Sequence, residues 1–266
     1  MAFIVETPQR LPDARNWELW TEGGPVAEIT GLKPRLASWN RSDHPDQIRL
    51  REYLRDLSVE LGPLTAMQPL FLKMMIDVEE PGRLERHHDL DNYLTPVVAH
   101  LGPRQFRYVE AVKRVGGGSD LRIGLAVPLV SAAISAECEH FSCAAGAGAQ
   151  EKRWKEGVRS ALMQAGAQRL PAGLVEARVA WRCSARRNWV WLWKPTIDAM
   201  GPILGQADPR NPYNPNDDRI VRLCLHVFYD ETRAHAVDVA MWWRSLGTAA
   251  DAKRSQLNTE VGRSTQ

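Results

Sequence analysis

Cysteine is scarce in this chain. Cys138, Cys143, Cys183 and Cys224 are the only four among 266 residues, too few and too scattered for a disulfide framework, which points to a reducing compartment. A long apolar run is also missing. The longest nearly apolar stretch, 123–136, contains Pro128 and falls short of the roughly 20 residues that a membrane-crossing helix needs. The opening residues, Met1 to Pro8, lack the charged leader and apolar core of a signal peptide. Nor does one sign of charge dominate: 34 Lys and Arg against 32 Asp and Glu leave +2, so any electrostatic footprint must be local. Together these absences count against a secreted or membrane-spanning protein, and a soluble cytoplasmic one is expected. Apolar and charged contents of 44% and 25% are those of a globular chain with a real core.

What the chain does contain is a pattern stated twice. Asp89-Leu90-Asp91-Asn92 is followed by Thr95-Pro96, Ala99 and Gly102; later, Asn188, Val190 and Trp191 are followed by Lys194-Pro195, Asp198 and Gly201. Pro96 matches Pro195 and Gly102 matches Gly201 at one constant offset. Upstream, Leu50, Leu54, Leu57 and Leu61 recur at helical spacing before Gly62, as Trp154, Val158, Ala161 and Ala165 do before Gly166. Each stripe predicts an amphipathic helix ended by a glycine cap. The offset differs between stripe and motif, which places extra residues in the first copy at 79–83. Apolar strands are predicted at 70–78 and 174–183. After each motif come two strand-like runs joined by a turn, 108–115 with 121–127 and 221–227 with 237–241, read as hairpins.

The expected architecture is therefore α+β, with two tandem α/β units, each a helix packed on a mixed sheet. The first unit takes 1–128 with an N-terminal arm (1–45) that packs on it and whose Phe3–Glu6 stretch supplies an opening strand. A small-residue linker takes 129–149, the second unit 150–244, and a disordered tail 245–266.

The series helix, strand, Asp-x-Asp-Asn, short helix with Lys and Asp, Asp-Asp and strand pair resembles the RusA family of Holliday-junction resolvases. Copy one matches at Asp89, Leu90, Asp91 and Asn92; copy two matches at Lys194, Asp198, Asp217 and Asp218. The resemblance covers 46–128 and 150–243. It implies two fused protomers forming an intrachain pseudo-dimer, Mg2+ as cofactor, cleavage of branched four-way junction DNA, and further self-association as an open question.

The chemistry can be argued from the residues themselves. Phosphodiester hydrolysis needs an activated water and charge neutralisation, which Mg2+ held by a few carboxylates provides. Asp89 and Asp91, two apart, face one side of an extended segment. Asp217 or Asp218 closes the ligand set, with Asp218 the first choice. Lys194 serves as a point charge on the phosphate, Asn92 orients a ligand carboxylate, and Asp198 holds Lys194. Segment 150–187 carries nine basic side chains against three acidic ones, a local +6 that includes Arg182, Arg186 and Arg187. Arg83, Arg86, His87 and His88 add phosphate contacts beside the acidic pair.

Because the parts lie in different copies, a composite site competes with two dead half-sites on a junction-binding shell; the constant offsets speak against an inserted domain. Other readings stand beside these. Asp89 to Asn92 is also a helix N-cap pattern, and 214–218 is turn-like. Lys194 also suits a surface position where its stem covers aromatic rings. Trp189, Trp191 and Trp193 alternate along one face of an extended segment, either stacking on bases or filling the pocket the second copy's acids have left. A protein-interaction module built on those tryptophans is a further alternative. Cys138, His140 and Cys143 offer three zinc ligands with no fourth placed.

Overall fold

The computed structural model describes residues 17–31, 33–37, 40–64, 69–85, 88–129, 139–145 and 151–248. The elements run β1 (Leu19–Thr30), α1 (Pro45–Leu61), β2 (Leu70–Val78), α2 (Leu90–Leu101), β3 (Phe106–Val115), β4 (Asp120–Leu129), β5 (Glu139–Ala145), α3 (Glu151–Gln164), β6 (Val175–Cys183), α4 (Trp193–Asp198), α5 (Gly201–Leu204), β7 (Ile220–Tyr229) and β8 (Val237–Ser245). The α+β class holds. All eight strands join one mixed sheet in the order β1-β4-β2-β3-β7-β6-β8-β5.

That order reads the same from either edge. β2 pairs β3 in parallel and β4 antiparallel; β6 pairs β7 in parallel and β8 antiparallel. β1 adds outside β4, and β5 outside β8, both antiparallel. The halves meet at the antiparallel pair β3–β7, from Tyr108↔His226 to Val112↔Arg222.

Alternation along the strands explains the layers. Leu70, Leu72, Met74 and Ile76 of β2, and Val175, Ala177, Val179 and Trp181 of β6, point into one core that also takes Leu50, Tyr53 and Leu57 of α1 and Trp154, Val158 and Leu162 of α3. Of the two stripes, Leu50, Leu57, Trp154 and Val158 are buried, Leu54, Leu61 and Ala161 are half-buried, and Ala165 is exposed beyond the end of α3; Gly62 and Gly166 adopt positive φ near the helix ends, where a side chain would be strained. The opposite sheet face carries the alternate residues, many of them charged. There Glu110 joins Arg222 at 2.7 Å and Lys73 at 3.4 Å, and Arg244 meets Glu176 at 2.6 Å.

Several expectations need correction. The paired runs are not hairpins, because β2 lies between β3 and β4, and β6 between β7 and β8. The Gly116–Ser119 loop instead crosses the end of β2, and Asp77 of β2 holds it there. Its carboxylate accepts the N–H groups of Gly116 (2.7 Å) and Gly118 (3.0 Å), while its own N–H donates to Ser119 Oγ (3.0 Å). Positive φ at Gly116, Gly117 and Gly118 makes the crossing sterically free. Asp77→Ala is expected to cost about 2–3 kcal/mol, since two backbone donors lose a charged acceptor, seen as a lower urea midpoint with unchanged slope.

The 129–149 linker contains β5, which extends the sheet beyond β8. The first strand among the described residues is β1; the Phe3–Glu6 stretch lies outside the described residues, as do Trp39, Cys138 and residues 249–266. The arm also reaches past the first half: Trp17 and Leu19 pack on Ala180, Ala240 and Trp242. Further along, it answers a backbone need. Pro96 inside α2 has no N–H for the Asn92 carbonyl, and Ala37 N–H donates to that carbonyl at 2.7 Å.

Candidate metal centre

The seam between the halves brings the two partial motifs together. Lys194, on the first turn of α4, points its Nζ at Asp217 Oδ2 (3.0 Å), Asp89 Oδ2 (3.1 Å) and Asp198 Oδ1 (3.3 Å). One oxygen from each of Asp89, Asp91 and Asp217 lies within 4.8 Å of the others. Asp89 and Asp91 come from the first half, and Lys194, Asp198 and Asp217 from the second.

Local backbone geometry sets each side chain. Asp89 is not on an extended run with Asp91: it is the N-cap residue of α2, and Asp91 sits in the first helical turn. The capping pattern is thus real at the backbone level, yet the Asp89 carboxylate caps nothing. It turns to Lys194 and accepts Asn92 Nδ2 at 3.1 Å, which is the orienting role expected of Asn92. Asp217 opens a 3₁₀ turn (Asp217–Arg219) leading into β7. At about 120° per residue, this turn sends Asp217 into the cluster and Asp218 away from it, so Asp217 replaces Asp218 as the third carboxylate. Asp218 contributes its backbone carbonyl, which accepts Lys113 Nζ at 2.5 Å.

Lys113 is the functional side chain that the sequence reading missed. It lies on β3 in the register of Val109 and Ala111, the core-facing side, and is buried. A lysine at an apolar-parity position was the available signal. Burial pulls its ammonium down to about 8, with Asp218, Asp89, Asp217 and Asp91 opposing the fall. Lys155 of α3 closes the far side, 2.7 Å from Asp198 Oδ2.

Burial dominates the protonation of the acids. Asp91 is 2% exposed, and desolvation raises it to about 7 against the pull of Lys194. Asp217 is raised to about 6 for the same first reason. For Lys194 burial works toward neutrality, but Asp91, Asp217, Asp89 and Asp198 outweigh it and hold the ammonium charged. Asp89, Asp91, Asp198 and Asp217 face Lys194, Lys113 and Lys155, so the fully ionised cluster carries one negative charge in excess. Asp91 Oδ1 is buried with no hydrogen-bond partner. Hard oxygen donors, a net negative charge and an orphaned buried carboxylate oxygen fit a hard divalent cation such as Mg2+.

No protein-family model, curated protein or solved structure matches this chain. Among the described residues no helix is long and apolar enough to cross a membrane.

The expected nucleic-acid contacts are dispersed. Arg83 pairs with Glu79 at 3.4 Å on the surface, His88 lies edge-on to Tyr93, and Arg86 and His87 fall outside the described residues. Arg182 sits over the rings of Trp17 and Phe228. Arg186 and Arg187 follow the C-terminal end of β6, which lies beside Tyr229, whereas Asp217 precedes Ile220 at the other end of β7. Ten strand residues separate these ends by about 30 Å. Arg182, Arg186 and Arg187 therefore lie at the far end of β7 from Asp217, whereas His88 directly precedes Asp89.

At that other end lie the residues whose motif aligns in sequence with that of the acidic cluster: Asn188 and Val190 align with Asp89 and Asp91. The three-residue turn Pro103–Gln105 before β3 matches Asp217–Arg219 before β7. The space is filled by aromatic rings. Trp189 and Trp193 are fully buried, their centroids 4.9 Å apart and edge-to-face, and Trp189 Nε1 donates to the Pro103 carbonyl at 3.0 Å. The three tryptophans do not share a face, because 189–192 form a 3₁₀ turn that runs into α4; Trp191 alone faces solvent.

Proposed function

We propose that this chain is a metal-dependent phosphodiesterase acting on branched DNA, with one composite active site built across the seam between two fused, RusA-like halves. The observation that carries the reading is Lys194 together with Asp89, Asp91 and Asp217: two incomplete motifs, separated by about a hundred residues, complete one another in space. Equivalent element order and strand pairing in the two halves support a tandem duplication folded as an intrachain pseudo-dimer.

Asp89, Asp91 and Asp217 would hold the ion, which when bound supplies charge neutralisation at the phosphate and lowers the pKa of a water. The chain's own contributions are positional. Lys194, 40% exposed at its side chain, is the cation available to a phosphate oxygen and needs no reorganisation, being fixed by three carboxylates. Asn92 fixes the Asp89 oxygen that faces Lys194, and Lys113 fixes the turn that carries Asp217. Asp198, gripped by Lys155, limits how far the Lys194 ammonium can move. One active centre per chain further implies that cutting two strands of a junction needs two encounters or two chains.

A second reading is favoured by the same lysine. An ammonium already among three carboxylates suits a catalytically silent, junction-binding relative. Incubation of labelled four-way junction DNA with and without Mg2+, beside Asp217→Asn, separates the two. Nicking that needs Mg2+ and is lost in the variant supports the nuclease. Junction binding without nicking supports the silent binder, and neither binding nor nicking would sink both.

A further inference from the structure

The tryptophan-filled counterpart of the metal centre differs from it in charge as well as in polarity. Pro103 and Arg104 stand where the active half has Asp217 and Asp218. Arg107 lies 4.2 Å over the Tyr229 ring, and its Nη1 donates to the Arg104 carbonyl at 2.8 Å. Tyr229 pairs in register with Cys183, directly ahead of the turn that presents Arg186 and Arg187. The Arg187 side chain is tied to the His235 carbonyl at 3.1 Å. Among the described residues, none of these four arginines has a carboxylate within ion-pair distance, unlike Lys194, Lys155, Arg222 or Arg244. Two acids that the fold brings to this turn are committed elsewhere: Glu231 accepts from Ser184 Oγ and Ala185 N–H, and Asp230 from Thr232.

Trp191 follows Arg187 by four residues, on the turn whose Trp189 Nε1 donates to the Pro103 carbonyl next to Arg104. It is 71% exposed, and it is the sole large aromatic side chain in water among the described residues. Its neighbours Trp189 and Trp193 are fully buried, so its position is set by a rigid turn. An indole held outward beside unpaired guanidinium groups matches what an unstacked base and its flanking phosphates require.

We propose that the second half-site is a non-catalytic strand-docking site, in which Trp191 stacks on a base outside the duplex while Arg104, Arg107, Arg186 and Arg187 take its phosphates. This rests on the DNA-directed reading above and deepens it: one half-site cleaves, and the other, whose Trp191 precedes Lys194 by three residues, holds an unpaired strand beside it. Arg107 is braced by Tyr229 for a backbone contact, and Arg104 and Arg186 are the more exposed pair.

The test is fluorescence anisotropy in Mg2+-free buffer, with the full chain titrated into a labelled forked duplex bearing a single-stranded arm and into a blunt duplex. Trp191→Ala is expected to weaken forked-DNA binding by about 10-fold and blunt-duplex binding hardly at all; Trp191→Phe, which keeps a ring, is expected to restore most of the affinity. Arg104→Glu with Arg186→Glu should weaken both DNAs and lower the salt slope by roughly 2, one per lost phosphate contact. Wild-type affinity in the tryptophan and arginine variants, with junction nicking intact, overturns the docking site and leaves the nuclease standing. Docking lost in the variants, with no nicking by the wild type, overturns the nuclease alone. A wild type that binds neither DNA overturns both.

Discussion

Asp91→Asn is expected to make the protein more stable at pH 8 and unable to use Mg2+. Asp91 is buried, and desolvation, followed by repulsion from Asp217, Asp89 and Asp198, raises its carboxyl to about 7. In the unfolded chain it titrates near 3.8. The folded state therefore binds the proton more tightly, and its stability is highest below the unfolded value. Stability falls as pH rises through that window and levels off above about pH 7. The interval corresponds to a loss of up to about 4 kcal/mol, at about 1.36 kcal/mol per tenfold step. The isosteric amide does not titrate and keeps the volume, so this slope should vanish. In Mg2+-free buffer at pH 8 the variant is expected to melt on the order of 5–10 °C above the wild type, at about 2–4 °C per kcal/mol for a chain of this size. Mg2+ should raise the melting temperature of the wild type at pH 8 and leave that of the variant unmoved. Cleavage should fall at least about 100-fold, the upper end of what losing even a partner of a metal ligand costs. Calorimetry from pH 5 to pH 8, with and without Mg2+, reads all of this; parallel pH profiles for the two proteins would refute it.

Lys194→Met should do the reverse. The thioether chain fills the same space, but three carboxylates lose their shared ammonium. Stranding buried charge costs about 3–5 kcal/mol; with the lysine 40% exposed, about 2–3 kcal/mol is expected at pH 8. Near pH 5 most of this should disappear, because Asp91 and Asp217, raised to about 7 and about 6 by burial, take up protons and remove the repulsion. Mg2+ should likewise reduce the loss by supplying the missing positive charge. Cleavage is expected to fall about 100-fold even at saturating Mg2+, since the phosphate loses a preorganised cation. Urea midpoints at both pH values decide the matter: an equal loss at pH 5 and pH 8 would mean that Lys194 serves packing rather than charge.

The parts of this protein that were legible in the sequence are those governed by local periodicity. The Leu50–Leu57 and Trp154–Val158 stripes gave their helices, and β2 was bounded correctly at both ends, because burying one face leaves a period that needs no knowledge of the partner. Strand order was not legible. Gly116–Ser119 has the composition of a hairpin turn, and only Asp77, far away in sequence, reveals that the loop crosses a strand. The convergence of Asp89 and Asp91 with Lys194 and Asp217 could be anticipated because the two motifs lack complementary parts, so the missing pieces name each other. The choice between Asp217 and Asp218 could not, since adjacent residues in a 3₁₀ turn point about 120° apart and composition does not say where the turn begins. Lys113 was concealed by its distance from both motifs, although its parity on β3 gave it away.

The β3–β7 seam has one more consequence, which concerns inheritance. On the proposed reading each half carries what the other lacks, so a substitution in either half is exposed to selection through the same four side chains. Neither half is a spare copy free to drift. A truncation, gene split or recombination that parts residues 89–91 from 194–217 removes the charge balance of the centre at a stroke, whereas shuffling within the loops that leaves the seam intact does not. On the proposed reading, one centre shared across the seam is what keeps the halves from being separated.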